Sequence, residues 1–112
     1  MSRASEFLDI YIDGLLAGDE QIITTWYRLA KPRLLRYIRT RVSHPSDAEE
    51  ICNDTFLSCL ESIGVFSRRS TLWSWMCSIC GHEIADYYRK KYAKRVIQVF
   101  PFGELFLEEG VP

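Results

Sequence analysis

Ser46-Asp47-Ala48-Glu49-Glu50-Ile51-Cys52-Asn53-Asp54-Thr55-Phe56-Leu57 has the form of a helix start followed by a helix. Ser46 and Glu49 stand three apart, the spacing of a capping box, in which each side chain satisfies a free backbone N–H of the first turn. Ala48, Ile51, Cys52, Thr55, Phe56, Cys59, Leu60 and Ile63 then keep the helical period for four turns. Asp47, Glu50, Asn53, Asp54, Leu57 and Glu61 are left outside, so the outer face is acidic with one leucine.

The same period extends on both sides of this stretch. Upstream, a first helix is predicted from Ser5 to about Ala17, and Asp19 is a good N-cap for a second that runs toward Val42. Pro32 lies inside the second, so a kink or break is expected there. Downstream, residues 64–70 form a polar, basic loop, and Ser70 or Thr71 can cap a fourth helix reaching about Arg95. No segment alternates like a strand. The expected fold is all-α, a compact bundle of four helices with no sheet. Residues 1–95 form the domain, and 96–112, with no helical period and broken at Pro101 and Gly103, start an interdomain linker or docking tail.

The chain has 112 residues, 47% of them hydrophobic, enough for the core of one domain. Its formal net charge of -1 argues at face value against a nucleic-acid binder. The distribution argues otherwise. Residues 28–41 hold six bases and no acid, residues 42–65 hold five acids and no base, and residues 66–95 hold seven bases against two acids. Such blocks on a folded domain give faces of opposite sign, hence two partners or merely solvated helices. No apolar run approaches the ~20 residues of a membrane helix. The N-terminus lacks the basic-then-apolar layout of a secretory signal, so a cytoplasmic location, no membrane association and reduced cysteines are expected.

Along the fourth helix, Leu72, Trp75, Met76, Ile79 and Glu83 share one stripe, which makes Trp75 a core residue and leaves Trp73 half exposed on a flank. Ser74, Ser78, Gly81 with His82, Ala85 and Arg89 line another side with small or polar groups. Together with the cations at the end of the helix and a loop holding Phe66, Arg68 and Arg69, they offer what single-stranded nucleic acid requires: charge for phosphates and ring faces for bases. A plain amphipathic helix with a solvated basic end fits the same residues. Cys77-Ser-Ile-Cys80-Gly-His82 invites a zinc or redox site, but it sits inside a predicted helix and lacks further ligands nearby, so buried core thiols are expected. No nucleophile with a base, carboxylate pair or glycine phosphate loop stands out, and no enzyme is expected.

Residues 47–57, Phe66-Ser67-Arg68-Arg69-Ser70-Thr71-Leu72-Trp73-Ser74-Trp75-Met76 and Ile79-x-x-His82-x-x-x-Asp86-Tyr87-Tyr88-Arg89-Lys90 occur in an order and spacing that resembles region 2 of bacterial sigma factors of the extracytoplasmic-function (ECF) group. Leu15 to Asp19 and Pro32 to Ile38 fit the same domain, so the resemblance covers about residues 12–95. It implies a transcription initiation domain that binds the clamp coiled coil of the largest RNA polymerase subunit. It also implies recognition and melting of the promoter -10 element by capture of non-template-strand bases. By that resemblance Asp47, Glu50, Asn53, Asp54 and Leu57 fall on polymerase-binding positions. Phe66, Ser67, Arg68, Arg69, Ser70, Thr71, Ser74, Ser78, His82 and Arg89 fall on DNA-binding ones. An anti-sigma factor is a further implied partner, and no cofactor, catalytic residue or metal ligand is implied. The chain departs from the pattern in His82, where Asn is usual, and in Asn53, where Gln is frequent. Members normally carry a second helix-turn-helix domain reading the -35 element. The chain is therefore expected to be a cut-out domain or a stand-alone region-2 protein, the latter including a polymerase-docking module that does not bind DNA.

Overall fold

The computed structural model describes residues 6–99, and among them it contains helices and no strand. A 3-10 turn at Asp9–Tyr11 leads into α1 (Ile12–Ala17); α2 (Glu20–Arg39) and α3 (Pro45–Ser62) follow, then a second 3-10 turn at Ile63–Val65 and α4 (Leu72–Val99). The all-α bundle predicted from periodicity is what forms. None of these helices is long and apolar enough to cross a membrane.

Local chemistry sets most boundaries. Gly18 takes a left-handed conformation at φ 69° and returns its N–H to the carbonyls of Gly14 and Leu15, ending α1. Asp19 is extended, and its carboxylate accepts from the N–H groups of Gln21 and Ile22 at 3.0 and 3.2 Å, opening α2. Helix α2 passes through Pro32 without the expected break. Pro32 is exposed, so the carbonyl one turn back that it leaves unpaired faces water rather than the core. The helix stops at Arg39, short of Val42, where the N–H groups of Arg41 and Val42 both return to the Ile38 carbonyl.

Two starts differ from expectation. Helix α3 begins on Pro45, whose fixed φ suits the first helical position, with His44 as an extended N-cap that makes no side-chain cap. The capping box at Ser46 does not form. Ser46 lies inside the first turn, and Glu49 instead faces the Lys31 ammonium of α2 at 3.7 Å. The first helix is also shorter than predicted, with Ser5 outside the described residues. Leu8 is fully buried, and the Asp9 carboxylate is turned away from its own segment to accept from the N–H of Leu72 at 2.8 Å. Thr71 completes that cap, accepting from the Ser74 N–H at 3.1 Å. Helix α4 then continues through Val99, past the expected end at Arg95, so residues 96–99 are helical although no helical period was read there. The remaining expected tail, 100–112, lies outside the described residues.

Helix α3 packs against both α2 and α4. Trp26 of α2 meets Phe56 of α3 edge-on at 5.0 Å and donates its indole N–H to the Met76 sulfur of α4 at 3.4 Å, so three helices join on one side chain. Cys52, Cys59 and Cys80 are buried and Cys77 half-buried, all as free thiols. Burial pushes the thiols of Cys52 and Cys80 up to about 11 and that of Cys59 to about 12, so they stay protonated and unreactive. Cys80 faces the core while Gly81 and His82 face solvent, which splits the sequence run that invited a metal. Among the described residues no three His, Cys, Asp or Glu side chains converge as a metal site would require.

At Gly14, α1 comes close to α2. A Cβ there would stand 2.4 to 2.7 Å from the Ile22 side chain, including its stiff, branched Cβ. Gly14→Ala is expected to cost about 1–3 kcal/mol by overpacking, although alanine is the better helix former. Urea titration followed by circular dichroism measures this. An unchanged midpoint would show that the contact relaxes freely.

Candidate DNA and protein interfaces

The loop from Phe66 to Thr71 is built on fixed contacts at both ends. The Phe66 ring lies 4.9 Å from that of Trp75 at 34° and packs on the core. Trp75 is therefore half-buried beneath Phe66 rather than the core tryptophan predicted; that place belongs to Trp26, while Trp73 is half-buried on its flank as expected. At the far end Thr71 is buried, its hydroxyl donating to Ser74 Oγ at 3.0 Å. Ser67, Arg68, Arg69 and Ser70 between them are exposed. Arg68 has φ 60°, a left-handed conformation uncommon outside glycine, and its guanidinium pairs with Asp13 of α1 at 2.5 Å.

On α4, Ser74, Ser78, Gly81, His82, Ala85 and Arg89 are all exposed on one stripe. The predicted DNA set is thus divided. Ser67, Arg68, Arg69, Ser70, Ser74, Ser78, His82 and Arg89 reach solvent, whereas Phe66 is partly and Thr71 almost wholly committed to holding the loop. Arg89 pairs with Asp86 at 3.1 Å and Lys90 with the same carboxylate at 3.0 Å. The hydrogen bond from Lys90, seconded by Arg89, holds the Asp86 carboxyl below its usual range.

Sequence reasoning missed the contribution of α2 to this region. The Arg33 guanidinium lies over the rings of Phe7 and Trp73, at 4.6 and 5.1 Å from their centroids. Arg41 lies 3.9 Å over Tyr37, donates to the Tyr37 carbonyl at 3.1 Å, and its own carbonyl accepts from the Tyr88 hydroxyl. Both cations sit close enough to the half-buried Cys77 of α4 to oppose, in part, the rise that burial imposes on its thiol. The run of six bases was visible in the sequence, but helical period alone could not say which of them face α4.

The α3 face is assembled largely as predicted. Glu50, Asn53, Asp54 and Leu57 are exposed, Leu57 by 58%. Asp47 is half-buried and accepts from the Tyr87 hydroxyl of α4 at 2.7 Å, which pushes that phenol up to about 12. Between α3 and α4 runs an open groove of about 420 Å³, lined by Asp47, Glu50 and Asp54 from α3 and by Glu83, Asp86, Lys90, Lys91 and Lys94 from α4. The acidic face of α3 therefore continues onto Glu83 and Asp86 and meets cations only at Lys90, Lys91 and Lys94, an arrangement that was not foreseen.

The family model described as Sigma-70 region 2 matches residues 26–94. The RNA polymerase sigma factor YlaC of Bacillus subtilis is 26% identical over 85 residues, covering 76% of this chain and 46% of that protein. The ECF RNA polymerase sigma factor BldN of Streptomyces coelicolor is 28% identical over 74 residues, 65% of this chain and 28% of the relative. A probable RNA polymerase sigma factor of Haemophilus influenzae is 28% identical over 61 residues, 54% of this chain and 31% of its own length. The chain spans less than half the length of these curated relatives. No solved structure matches it. The match runs from the core tryptophan Trp26 to Lys94 on the wall of the α3–α4 groove, covers more than half of the sequence, and places the chain in the sigma-70 region 2 family.

Proposed function

We propose that the chain is the part of an ECF-group sigma factor that docks on the RNA polymerase clamp and opens the promoter -10 element, working in the cytoplasm with the polymerase. The observation that carries this reading is the pairing of an exposed small-polar stripe on α4 with a loop presenting Arg68 and Arg69 beside it. A single strand can lie along such a stripe because the small groups of Ser74, Ser78, Gly81 and Ala85 leave room for it, and the loop cations meet its phosphates. Capture of an unstacked base offsets the few kcal/mol that unstacking costs, so opening needs binding energy and no catalysis. The acidic α3 face is available at the same time for the polymerase.

Fluorescence anisotropy with a single-stranded -10-like oligonucleotide tests the DNA role. Arg68→Ala with Arg69→Ala is expected to weaken binding and to reduce the slope of log affinity against log salt by about 1.4, from ~0.7 per lost phosphate contact. The DNA role fails if the wild-type protein does not bind at low salt or if the double variant behaves like it. A second reading, a docking module without DNA binding, is favoured by the ion pairs that already occupy Arg68 and Arg89. The same titration separates the two.

A further inference from the structure

Six cations lie between residues 28 and 41, and the contacts above occupy three of them. Lys31 faces Glu49, Arg33 lies over Phe7 and Trp73, and Arg41 is held by Tyr37 and Thr40. Arg28, Arg36 and Arg39 are not engaged in this way. All three are exposed, and no carboxylate among the described residues is within ion-pair distance of them. At 3.6 residues per turn they fall within about 80° of arc, on a line of about 16 Å along α2. Arg36 and Arg39 also border a shallow groove of about 610 Å³, with Lys31, Pro32, Leu35 and Thr40 completing its lining.

The company these arginines keep selects the ligand. Gln21, Thr25 and Pro32 share their arc; Glu20 lines the recess beside Arg28 but lies beyond ion-pair distance of it, and no ring stands beside the three arginines. The nearest tyrosines are engaged elsewhere: Tyr27 packs on Phe56 at 4.7 Å, and Tyr37 lies under Arg41. Surfaces that hold single strands interleave cations with aromatic platforms, and this one has none. A row of guanidiniums alone matches phosphates alone, and the planar fork of arginine suits them in two-point contacts. A duplex carries about one negative charge per 1.7 Å of its axis, with its bases stacked out of reach.

We propose that the outer face of α2 is a second nucleic-acid site, which takes the phosphate backbone of double-stranded DNA through Arg28, Arg36 and Arg39. It goes beyond the reading of the loop and α4 as a single-strand surface, adding a separate grip on the unopened duplex. Because the site reads charge and not bases, it binds without sequence preference.

The experiment compares a short duplex of unrelated sequence with the single-stranded -10-like oligonucleotide, using the wild-type chain and the Arg28→Gln, Arg36→Gln, Arg39→Gln triple variant. The duplex salt slope is expected to fall by about 2.7, from ~0.9 for each of three phosphates, while the single-strand affinity changes less than about twofold. A melting temperature matching the wild type confirms that the exposed substitutions leave the fold intact. Unchanged duplex binding with intact single-strand binding overturns this site alone. Loss of polymerase-core capture by the triple variant, with duplex binding unchanged, overturns it in favour of a protein contact. A wild-type chain that binds duplex and not single strand overturns the α4 reading while leaving the α2 site standing.

Discussion

Trp26→Ala is expected to lower the unfolding free energy by about 3–5 kcal/mol, the usual cost of removing a large aromatic from a packed core. Trp26 is only 1% exposed, and it is the side chain on which α2, α3 and α4 meet. Its loss removes the edge contact with Phe56 and the N–H donated to the Met76 sulfur, and leaves a cavity that three separate helices would have to close. Domains of this size hold about 5–15 kcal/mol in total, so the variant sits near the limit of folding. Trp26→Phe keeps most of the volume and is expected to lose less. Trp75→Ala is also expected to cost less, since Trp75 is only half-buried, with the Phe66 ring 4.9 Å from its own. Urea denaturation of the three variants gives the ranking. A loss at Trp26 below about 1 kcal/mol, or a larger one at Trp75, would show that the core is organised around the wrong tryptophan here.

That ranking could not have been drawn from the sequence, and the reason is physical. Period locates the buried arc of a helix, and it did so for α3, where Ala48, Ile51, Cys52, Thr55, Phe56 and Cys59 are all buried. It does not say how deep a residue near the edge of the arc lies, which depends on what packs over it. Trp75 is at such an edge. Local signals succeeded where the whole cap is local, as at Gly18 and Asp19. They failed where a distant group competes. Glu49 is drawn to Lys31 instead of a capping box, and Asp9 caps α4 across 63 positions of sequence instead of extending its own helix. The exposure of the α4 stripe, the loop and the acidic face was legible because each belongs to one helix or one loop. The roles of Arg33, Arg41 and the α4 lysines were not, because each depends on which helix becomes its neighbour.

Leu57→Asp is expected to weaken capture of the polymerase core by at least about 30-fold, the effect of losing an interface hot spot worth about 2 kcal/mol. Leu57 stands one turn beyond Asn53 and Asp54 and two turns beyond Glu50, so α3 presents an exposed apolar side chain at the end of a polar, acidic row. Such a residue has no folding role that keeps it apolar. In a complex, the charges around it exclude water from its contact, and the contact supplies affinity that the charges, still partly hydrated, do not. The two kinds of residue should therefore separate kinetically. Glu50→Gln is expected to slow association and to reduce its salt dependence, whereas Leu57→Asp is expected mainly to speed dissociation. Stability should be nearly unchanged in both, which urea titration checks. Glu20, exposed at the start of α2 and not on the acidic face of α3, provides the control: Glu20→Gln should bind like the wild type. Full binding by Leu57→Asp would remove α3 from the polymerase interface, since the apolar anchor of the proposed contact would then contribute nothing.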